Sequence, residues 1–365
     1  MPAMFRSYPF PLSLLVCGGS ALVSGCGPSA VSDADAAPPD ARTYDFDASV
    51  SPETLSQSGL YANTAAGVLA PGVTPYEPRY ELWSDGTQKR RWIHLPDGAR
   101  IDNTTGDFWV YPEGTRLWKE FSRDGVKLET RLLYKSGPER SDWYMMSYVW
   151  NDGETDAVAA PLGDPDARGM GHEVPSQEQC AECHEPMHDR VLGFSAIQLD
   201  RDPAEAGDNL TLDGLLSRGW LQFGTGSAGY PHYPIPGTES EQDILGYLHG
   251  NCSGCHNRRS PVLEGVSTRP LFTLRTEERF RETFEATPFY DSTVGVRALN
   301  TDEARSLVEP GDPSESAIYV RMTSRAPNLA MPPLGTEIVD DEATARIRAW
   351  IESMPAGAAH EPHAP

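Results

Sequence analysis

Four of the six cysteines in this chain belong to one repeated pattern, Cys-x-x-Cys followed directly by histidine. The pattern occurs at residues 180–184 (CAECH) and again at residues 252–256 (CSGCH). The other two cysteines, Cys17 and Cys26, lie in an apolar N-terminal segment. Every thiol beyond that segment therefore belongs to the same repeated motif, which constrains the fold more than any other feature of the sequence.

The spacing within each motif is that of the attachment signal for c-type haem. Cys180 and Cys183 are expected to add to the two vinyl groups of one haem, because one helical turn holds the thiols at a suitable separation. His184 then lies under the iron as its proximal ligand. The corresponding residues of the second motif are Cys252, Cys255 and His256. The sequence therefore predicts two covalently bound haem c groups, each containing iron.

A Cys-x-x-Cys pair can instead be a redox disulfide or half of a zinc site. The two motifs are separated by residues 184–251, or 68 residues between Cys183 and Cys252, which is longer than in compact zinc modules. Histidine follows both pairs, and neither alternative requires it. A single haem, and zinc or disulfides in place of haem, remain the alternatives.

The haem iron of an electron carrier usually takes a sixth ligand. For the second motif the predicted ligand is Met331, in a proline-stiffened loop, because a thioether favours ferrous iron. Met322 falls in a helix predicted over residues 316–323 and is expected in the core. For the first motif the sequence selects no ligand, and an open or water-bound site also fits. The candidates are His172, Met170, Met145, Met146, His232 and His249.

The N-terminus has the pattern of a secretory signal, with Arg6 before an apolar run over residues 10–23. Small residues before Cys26 resemble the lipobox of bacterial lipoproteins, and an ordinary signal with a chance cysteine is the alternative. The resemblance implies removal of residues 1–25, lipidation of Cys26 and anchoring on the periplasmic side of a bacterial membrane or at the cell surface. Residues 26–50 are rich in Ala, Pro, Ser and Asp, which predicts a flexible tether.

The rest of the chain predicts a multidomain α+β protein. Residues 51–165 hold aromatic and β-branched runs between Asp-Gly turns, typical of an antiparallel β-sandwich or barrel. A first haem-binding segment is expected over residues 166–238, a mainly α-helical domain with the second haem over residues 239–355, and a tail over residues 356–365. Amphipathic helices are predicted over residues 242–250 and 341–354. Six tryptophans are expected mainly in the core, with a role in walling a haem as the alternative: Trp83, Trp92, Trp109, Trp118, Trp143 and Trp150.

Residues 240–354 resemble a single-haem cytochrome c domain, with a helix, the Cys-x-x-Cys-His motif, a long middle, a Met-Pro-Pro loop and a last helix. In that family the first and last helices cross, which here would place Leu245 and Leu248 against Trp350 and Ile351. Over about residues 55–354 the chain also resembles a group of bacterial dihaem c-type cytochromes, which implies electron transfer and leaves the partner open. The matching stretches are residues 82–86 (LWSDG), 89–93 (KRRWI), 148–151 (YVWN), 175–176 (PS) and 308–313 (VEPGDP).

The formal net charge of −23 argues against a nucleic-acid binder, which would need a basic face. The favoured function is electron transfer at a membrane, between redox proteins such as a periplasmic dehydrogenase and a terminal oxidase or another cytochrome. A dihaem enzyme such as a peroxidase is one alternative, although no distal acid–base pair is evident and no catalytic residue is assigned. A binding module is the other, with a β-rich domain that recognises a sugar or protein and with accessory haems.

Overall fold

The computed structural model describes residues 51–356 except for residue 105 and residues 224–231, 261–268 and 299–303. The predicted signal, Cys17, Cys26 and the tether lie outside the described residues, as does the tail from residue 357. The described residues belong to one compact unit. The domain boundaries expected within that unit stay predictions.

Aromatic and β-branched runs form the strands, as expected from the sequence. The described residues contain ten strands: β1 (Tyr61–Asn63), β2 (Val68–Leu69), β3 (Thr74–Tyr76), β4 (Gln88–His94), β5 (Ile101–Asp102), β6 (Arg116–Arg123), β7 (Val126–Lys135), β8 (Trp143–Trp150), β9 (Ala157–Ala159) and β10 (Leu221–Gln222). Six of them form one antiparallel sheet in the order β3-β4-β6-β7-β8-β9. Asp124 and Gly125 join β6 to β7 with φ of 51° and 80°, the positive values that a type I′ hairpin turn requires.

The two faces of this sheet are covered differently. Trp118, Leu132 and Tyr148 lie on one face, in a cluster with the segment that precedes β3. On the other face, Leu117 and Leu133 join the main cluster together with residues of the C-terminal half. The described residues contain two further sheets, each of two strands: β1 with β2, and β5 with β10. The expected antiparallel β-domain is thus confirmed, whereas the second large sheet of a sandwich is not part of what the structure describes.

The helices are short. Those in the described residues are α1 (Gln177–His184), α2 (Ala196–Leu199), α3 (Pro203–Ala206), α4 (Leu212–Ser217), α5 (Glu239–Asn251), α6 (Pro288–Thr293), α7 (Ala317–Thr323) and α8 (Asp341–Ser353), with 3₁₀ turns at Leu55–Gln57, Ala167–Gly169, Glu278–Phe280 and Pro313–Glu315. The predicted helices correspond to α5, α7 and α8. Long irregular segments separate α5 from α8, so the structure is mixed α and β and does not show a mainly helical C-terminal domain.

Two helices of the C-terminal half pack against each other, as the resemblance to a cytochrome c domain implies. Helix α5 contacts α8, and Leu245, Leu248, Trp350 and Ile351 lie in one buried cluster. The side chain of Thr238 accepts the backbone N–H of Glu241 and caps the start of α5. The expected pairing of these helices is therefore confirmed, and it holds the end of α5 where the second Cys-x-x-Cys-His motif begins.

Five of the six tryptophans are buried in the core, as expected: Trp92, Trp109, Trp118, Trp143 and Trp150. Trp83 is half-buried and has a different role. Its backbone N–H donates to Asn251 Oδ1 at 2.6 Å, and its indole Nε1 donates to the carbonyl of Ile338 at 3.1 Å. Trp83 therefore joins the end of α5 to the segment that follows Met331.

Candidate functional site

The two Cys-x-x-Cys-His motifs lie side by side in the fold. The thiols of Cys183 and Cys255 are within hydrogen-bonding reach of each other. A Cβ placed on Gly254 would lie 3.8 Å from the carbonyl oxygen of Cys183. All four cysteines of the motifs are free thiols and half-buried. The fold thus brings together the two parts of the sequence that carry the chemistry.

The contact between the motifs also sets the ionisation of the two thiols that make it. The hydrogen bond from Cys255 lowers the pKa of Cys183 to about 7, although burial acts in the opposite direction. The same contact, together with burial, raises the pKa of Cys255. Burial raises the pKa of Cys252 to about 12. Cys183 is therefore the more acidic of these two thiols.

Helix α1 presents the first motif. Ser176 caps its start by accepting the backbone N–H of Gln179, and Cys180 and His184 lie one turn apart on the same side. His184 Nδ1–H donates to the carbonyl of Arg190 at 2.6 Å. Burial lowers the pKa of His184 to about 4, so the ring is neutral. Its Nε2 therefore keeps a lone pair, which is the arrangement found in histidines that ligate metals.

Asp189 fixes the loop that orients His184. Its buried carboxylate accepts from Lys135 Nζ at 2.5 Å, from Trp143 Nε1 at 3.0 Å and from the backbone N–H of Tyr111 at 2.8 Å. The side chains of Asp189 and Lys135 are 2% and 0% exposed. The next residue, Arg190, supplies the carbonyl that holds the His184 ring, so the β-sheet positions the first motif through this ion pair.

The second motif follows the end of α5 as a tight turn. The backbone N–H groups of Cys255 and His256 donate to the carbonyl of Cys252 at 3.2 and 2.8 Å. Asn257 Nδ2 donates to the carbonyls of Ser253 and Gly254 at 2.9 and 3.0 Å. These side-chain bonds satisfy carbonyls at a helix end that would otherwise have no partner.

His256 also has a neutral ring. Burial lowers its pKa to about 4, against the effect of the nearby Pro270 carbonyl. Its Nδ1 is buried and has no hydrogen-bond partner among the described residues. The ring packs against Phe272 at 4.9 Å between centroids. Like His184, this histidine is a neutral imidazole, the form that ligates metals.

Residues 80–86, hereafter the 80–86 segment, hold the second motif against the sheet. A Cβ on Gly246 of α5 would lie 2.0 Å from the Tyr80 ring, so only glycine permits this approach. Asp85 accepts the backbone N–H groups of Glu337 and Ile338 at 3.0 and 2.9 Å. The segment contains the LWSDG stretch noted in the sequence, and its role here is to join α5 to the loop after Met331.

Met331 lies in that loop, where the structure places it half-buried. Its backbone N–H donates to the carbonyl of Arg321 at 3.1 Å, and the charge of Arg321 is one of those that lower the pKa of His256. Arg321 therefore lies near both the Met331 loop and His256. Met322 is buried in the core, as expected.

The histidines proposed as sixth ligands for the first motif are engaged elsewhere. His249 Nδ1 accepts the backbone N–H of Leu274 at 3.2 Å, so the proton is on Nε2 and no ring lone pair is left for iron. His172 Nε2 lies 3.0 Å from Glu129 Oε2. The His232 side chain is 75% exposed and pairs with Asp200.

The methionine candidates for the first motif are divided between the two faces of the sheet. Met146 is buried with the cluster on the face opposite the motifs. Met145 is buried on the motif side, and its carbonyl accepts from Gln177 Nε2 of α1 at 3.0 Å. Met170 packs against a small cluster around Leu128. Met145 is therefore the methionine whose backbone contacts the helix of the first motif.

A row of positive side chains beside the first motif was missed at the sequence level. Strand pairing aligns Arg91, Lys119 and Arg131 across β4, β6 and β7. Burial raises the pKa of Glu129, but Arg131 and His172 outweigh it and hold that pKa at about 2. Burial and the neighbouring cations hold the pKa of Lys119 well below its ordinary value. Every second residue of a strand points to the same face, so the sequence shows which charged residues share a face within one strand. It does not show which strands are neighbours, and therefore it does not show that these charges align.

An apolar cleft opens between the segments that follow the two motifs. Its cavity volume is about 130 Å³, which is below the roughly 300–1,000 Å³ usual for cofactor and ligand sites. Met187 and His188, after the first motif, line one side, and Asn257, after the second, lines another. Trp109 is part of its wall, so a core tryptophan also borders this space.

No family model, no curated protein and no solved structure matches the chain. Within the described ranges, no three Cys, His, Asp or Glu side chains converge as they would around a metal ion. No helix in the described part of the chain has the length and apolar character needed to cross a bilayer.

Proposed function

We propose that the chain is an exported, lipid-anchored dihaem c-type cytochrome that transfers electrons between periplasmic or membrane redox partners. The observation that carries the proposal is the approach of the two Cys-x-x-Cys-His motifs, where a Cβ placed on Gly254 would lie 3.8 Å from the carbonyl oxygen of Cys183. Two haems attached there would lie close enough to exchange electrons directly. The resemblance to dihaem cytochromes over residues 55–354 supports the same assignment.

The donor groups fit haem c. Cys180 and Cys183 would hold one haem through thioether bonds and Cys252 and Cys255 the other, and all four are free thiols with partial solvent access. His184 and His256 are the proposed proximal ligands, since both are neutral rings. When bound, each haem supplies an iron that cycles between ferric and ferrous states. The remaining task of the chain is to orient the ligands and exclude water.

Met331 is the proposed sixth ligand of the second iron. Its loop shares Arg321 with His256, and the 80–86 segment fixes the backbone just after it. Residues 239–355 would then act as a cytochrome c domain with more irregular structure than that family usually has. Cys26 is the proposed site of lipidation, and it lies outside the described residues.

A pyridine haemochrome spectrum with an intact mass tests the assignment on protein made with the cytochrome c maturation machinery. We expect two haems for each chain, and one haem in each of two variants, C180A/C183A and C252A/C255A. Each variant serves as the matched control for the other. Wild-type chain without haem would overturn the proposal, and metal analysis would then test zinc.

A dihaem redox enzyme such as a peroxidase is the second candidate. It is favoured by the engagement of His249 and His172 by other groups, which would leave the first iron with an open or water-bound site. Turnover of peroxide with a reduced donor protein would support this candidate. Rapid electron exchange without peroxide turnover would support the carrier.

A further inference from the structure

The apolar cleft between the segments that follow the two motifs has no part in the proposed electron transfer. The residues that line it include none of the four motif cysteines, neither His184 nor His256, and not Met331. The side chains that would hold the two haems therefore lie outside its wall. The cleft is thus a candidate site for a further ligand, and its size, surface and charges restrict what that ligand is.

The size of the cleft suits a ligand with a single ring. Its cavity volume is about 130 Å³, close to that of an apolar cavity of about 150 Å³ that binds benzene. The lining is mostly apolar and includes the aromatic side chains of Phe108, Trp109 and Phe280. Aromatic side chains form favourable edge-to-face contacts with another ring. We therefore expect the body of the ligand to be one aromatic ring.

The two carboxylates in the lining of the cleft are both neutralised. Asp107 accepts from Arg275 Nε at 2.5 Å and from the backbone N–H of Thr276 at 2.6 Å, each through a different oxygen. Asp189 is paired with the buried ammonium of Lys135. Any further guanidinium in the lining therefore adds net positive charge to the cleft.

Two further arginines, Arg258 and Arg259, supply such a charge. Both line the cleft and both are exposed, so they lie at its entrance. Neither forms an ion pair with a carboxylate in the described part of the chain. The guanidinium carbon of Arg259 lies 5.7 Å from the centroid of the Phe108 ring, which is part of the wall. In a chain with a formal net charge of −23, two such cations beside an apolar cleft favour an anionic ligand.

We propose that this cleft binds an aromatic monocarboxylate with one ring, of the benzoate type. The ring would occupy the apolar interior, and the carboxylate would lie at the entrance. There the guanidinium of Arg259 could donate two parallel hydrogen bonds to the two carboxylate oxygens. None of the residues that carry this proposal holds a haem, so the site goes beyond the proposed function and does not rest on it.

Calorimetric titration of the full-length protein, with whatever haem it carries, tests the ligand class. We expect saturable binding of benzoate. Acetate, which lacks the ring, and benzyl alcohol, which lacks the charge, should each bind at least tenfold more weakly. The same is expected of 2-naphthoate, because its second ring exceeds the cavity volume. No saturable binding of benzoate, or binding of any of the other three compounds as tightly as benzoate, would overturn the proposal.

Substitution of an arginine tests the location of the site. R259Q keeps a polar side chain at an exposed position, and we expect its affinity for benzoate to fall about tenfold through loss of a charge-assisted hydrogen bond. The matched control is R100Q, because Arg100 is also exposed and does not line the cleft. Its affinity should stay within twofold of wild type. Equal weakening by the two variants would indicate a general effect of net charge and would overturn the site.

The haem content of each preparation is measured separately by its pyridine haemochrome spectrum. A chain that takes up no haem would refute the proposed function, while the titration would still test the cleft. Conversely, a dihaem chain that does not bind benzoate would refute the cleft site and leave the proposed function standing.

Discussion

Removing the Asp189 carboxylate should strongly destabilise the protein. In D189A, the ammonium of Lys135 would stay buried, with 0% of its side chain exposed and its carboxylate partner gone. Breaking a buried ion pair in this way costs about 3–5 kcal/mol. Trp143 Nε1 and the Tyr111 N–H would lose their acceptor as well. We therefore expect the free energy of unfolding to fall by at least about 3 kcal/mol.

Urea unfolding of the full-length protein measures this change, provided that the slope with denaturant is the same in each variant. E352A is the matched surface control, since the side chains of Arg348 and Glu352 are 58% and 48% exposed, and its cost should be about 0–1 kcal/mol. The double variant D189L/K135M should recover the part of the loss that comes from the unpaired Lys135 charge, because it removes both charges together, while Trp143 Nε1 and the Tyr111 N–H stay without an acceptor. A D189A cost below about 1 kcal/mol, or no recovery in the double variant, would refute the reasoning.

Three further predictions concern single substitutions. G246A forces a methyl group against the Tyr80 ring and should lower the free energy of unfolding by about 1–3 kcal/mol. The helical control G214A places its methyl group 3.1 Å from the movable end of a leucine side chain, so it should lower the free energy of unfolding less in the same urea assay. The folded-state pKa of Glu129 is about 2 against an ordinary 4.5, so its ionised form stabilises the fold by about 3 kcal/mol above about pH 5, and this contribution is lost as the pH falls towards 2. The denaturation midpoints of wild type and E129Q should therefore converge at low pH. A constant difference between the two midpoints would contradict this. C26S should abolish incorporation of labelled palmitate and release the protein from the membrane fraction, while retention of the label would exclude Cys26 as the lipidation site.

The parts of the fold that depend on local pattern could be predicted. Helices α5 and α8 follow from their apolar spacing and end near the expected residues. Strands β4, β7 and β8 follow from runs of aromatic and β-branched residues between turn pairs. In each case the pattern that predicts the helix or strand lies in residues that are close together in the chain.

The parts that depend on distant pairings could not be predicted. Nothing in the sequence indicates that Cys183 and Cys255 meet, because that contact is set by how the intervening residues fold. The pairing of Lys135 with Asp189 joins a strand to a loop and has no local signal. The described residues contain one large sheet, whereas a sandwich requires two. The strand pattern shows that one face of a sheet is buried, but it cannot show whether a second sheet or irregular chain covers that face.

These long-range contacts explain why a β-rich region is attached to the two Cys-x-x-Cys-His motifs. The first motif depends on the sheet through Asp189, whose partners Lys135 and Trp143 lie on β7 and β8. The second motif depends on the 80–86 segment, which leads into β4 and packs against Gly246 of α5. The sheet therefore supports both motifs, the first through Asp189 and the second through the 80–86 segment. In the proposed carrier, such a scaffold would set the separation of the two haems, on which electron exchange depends steeply.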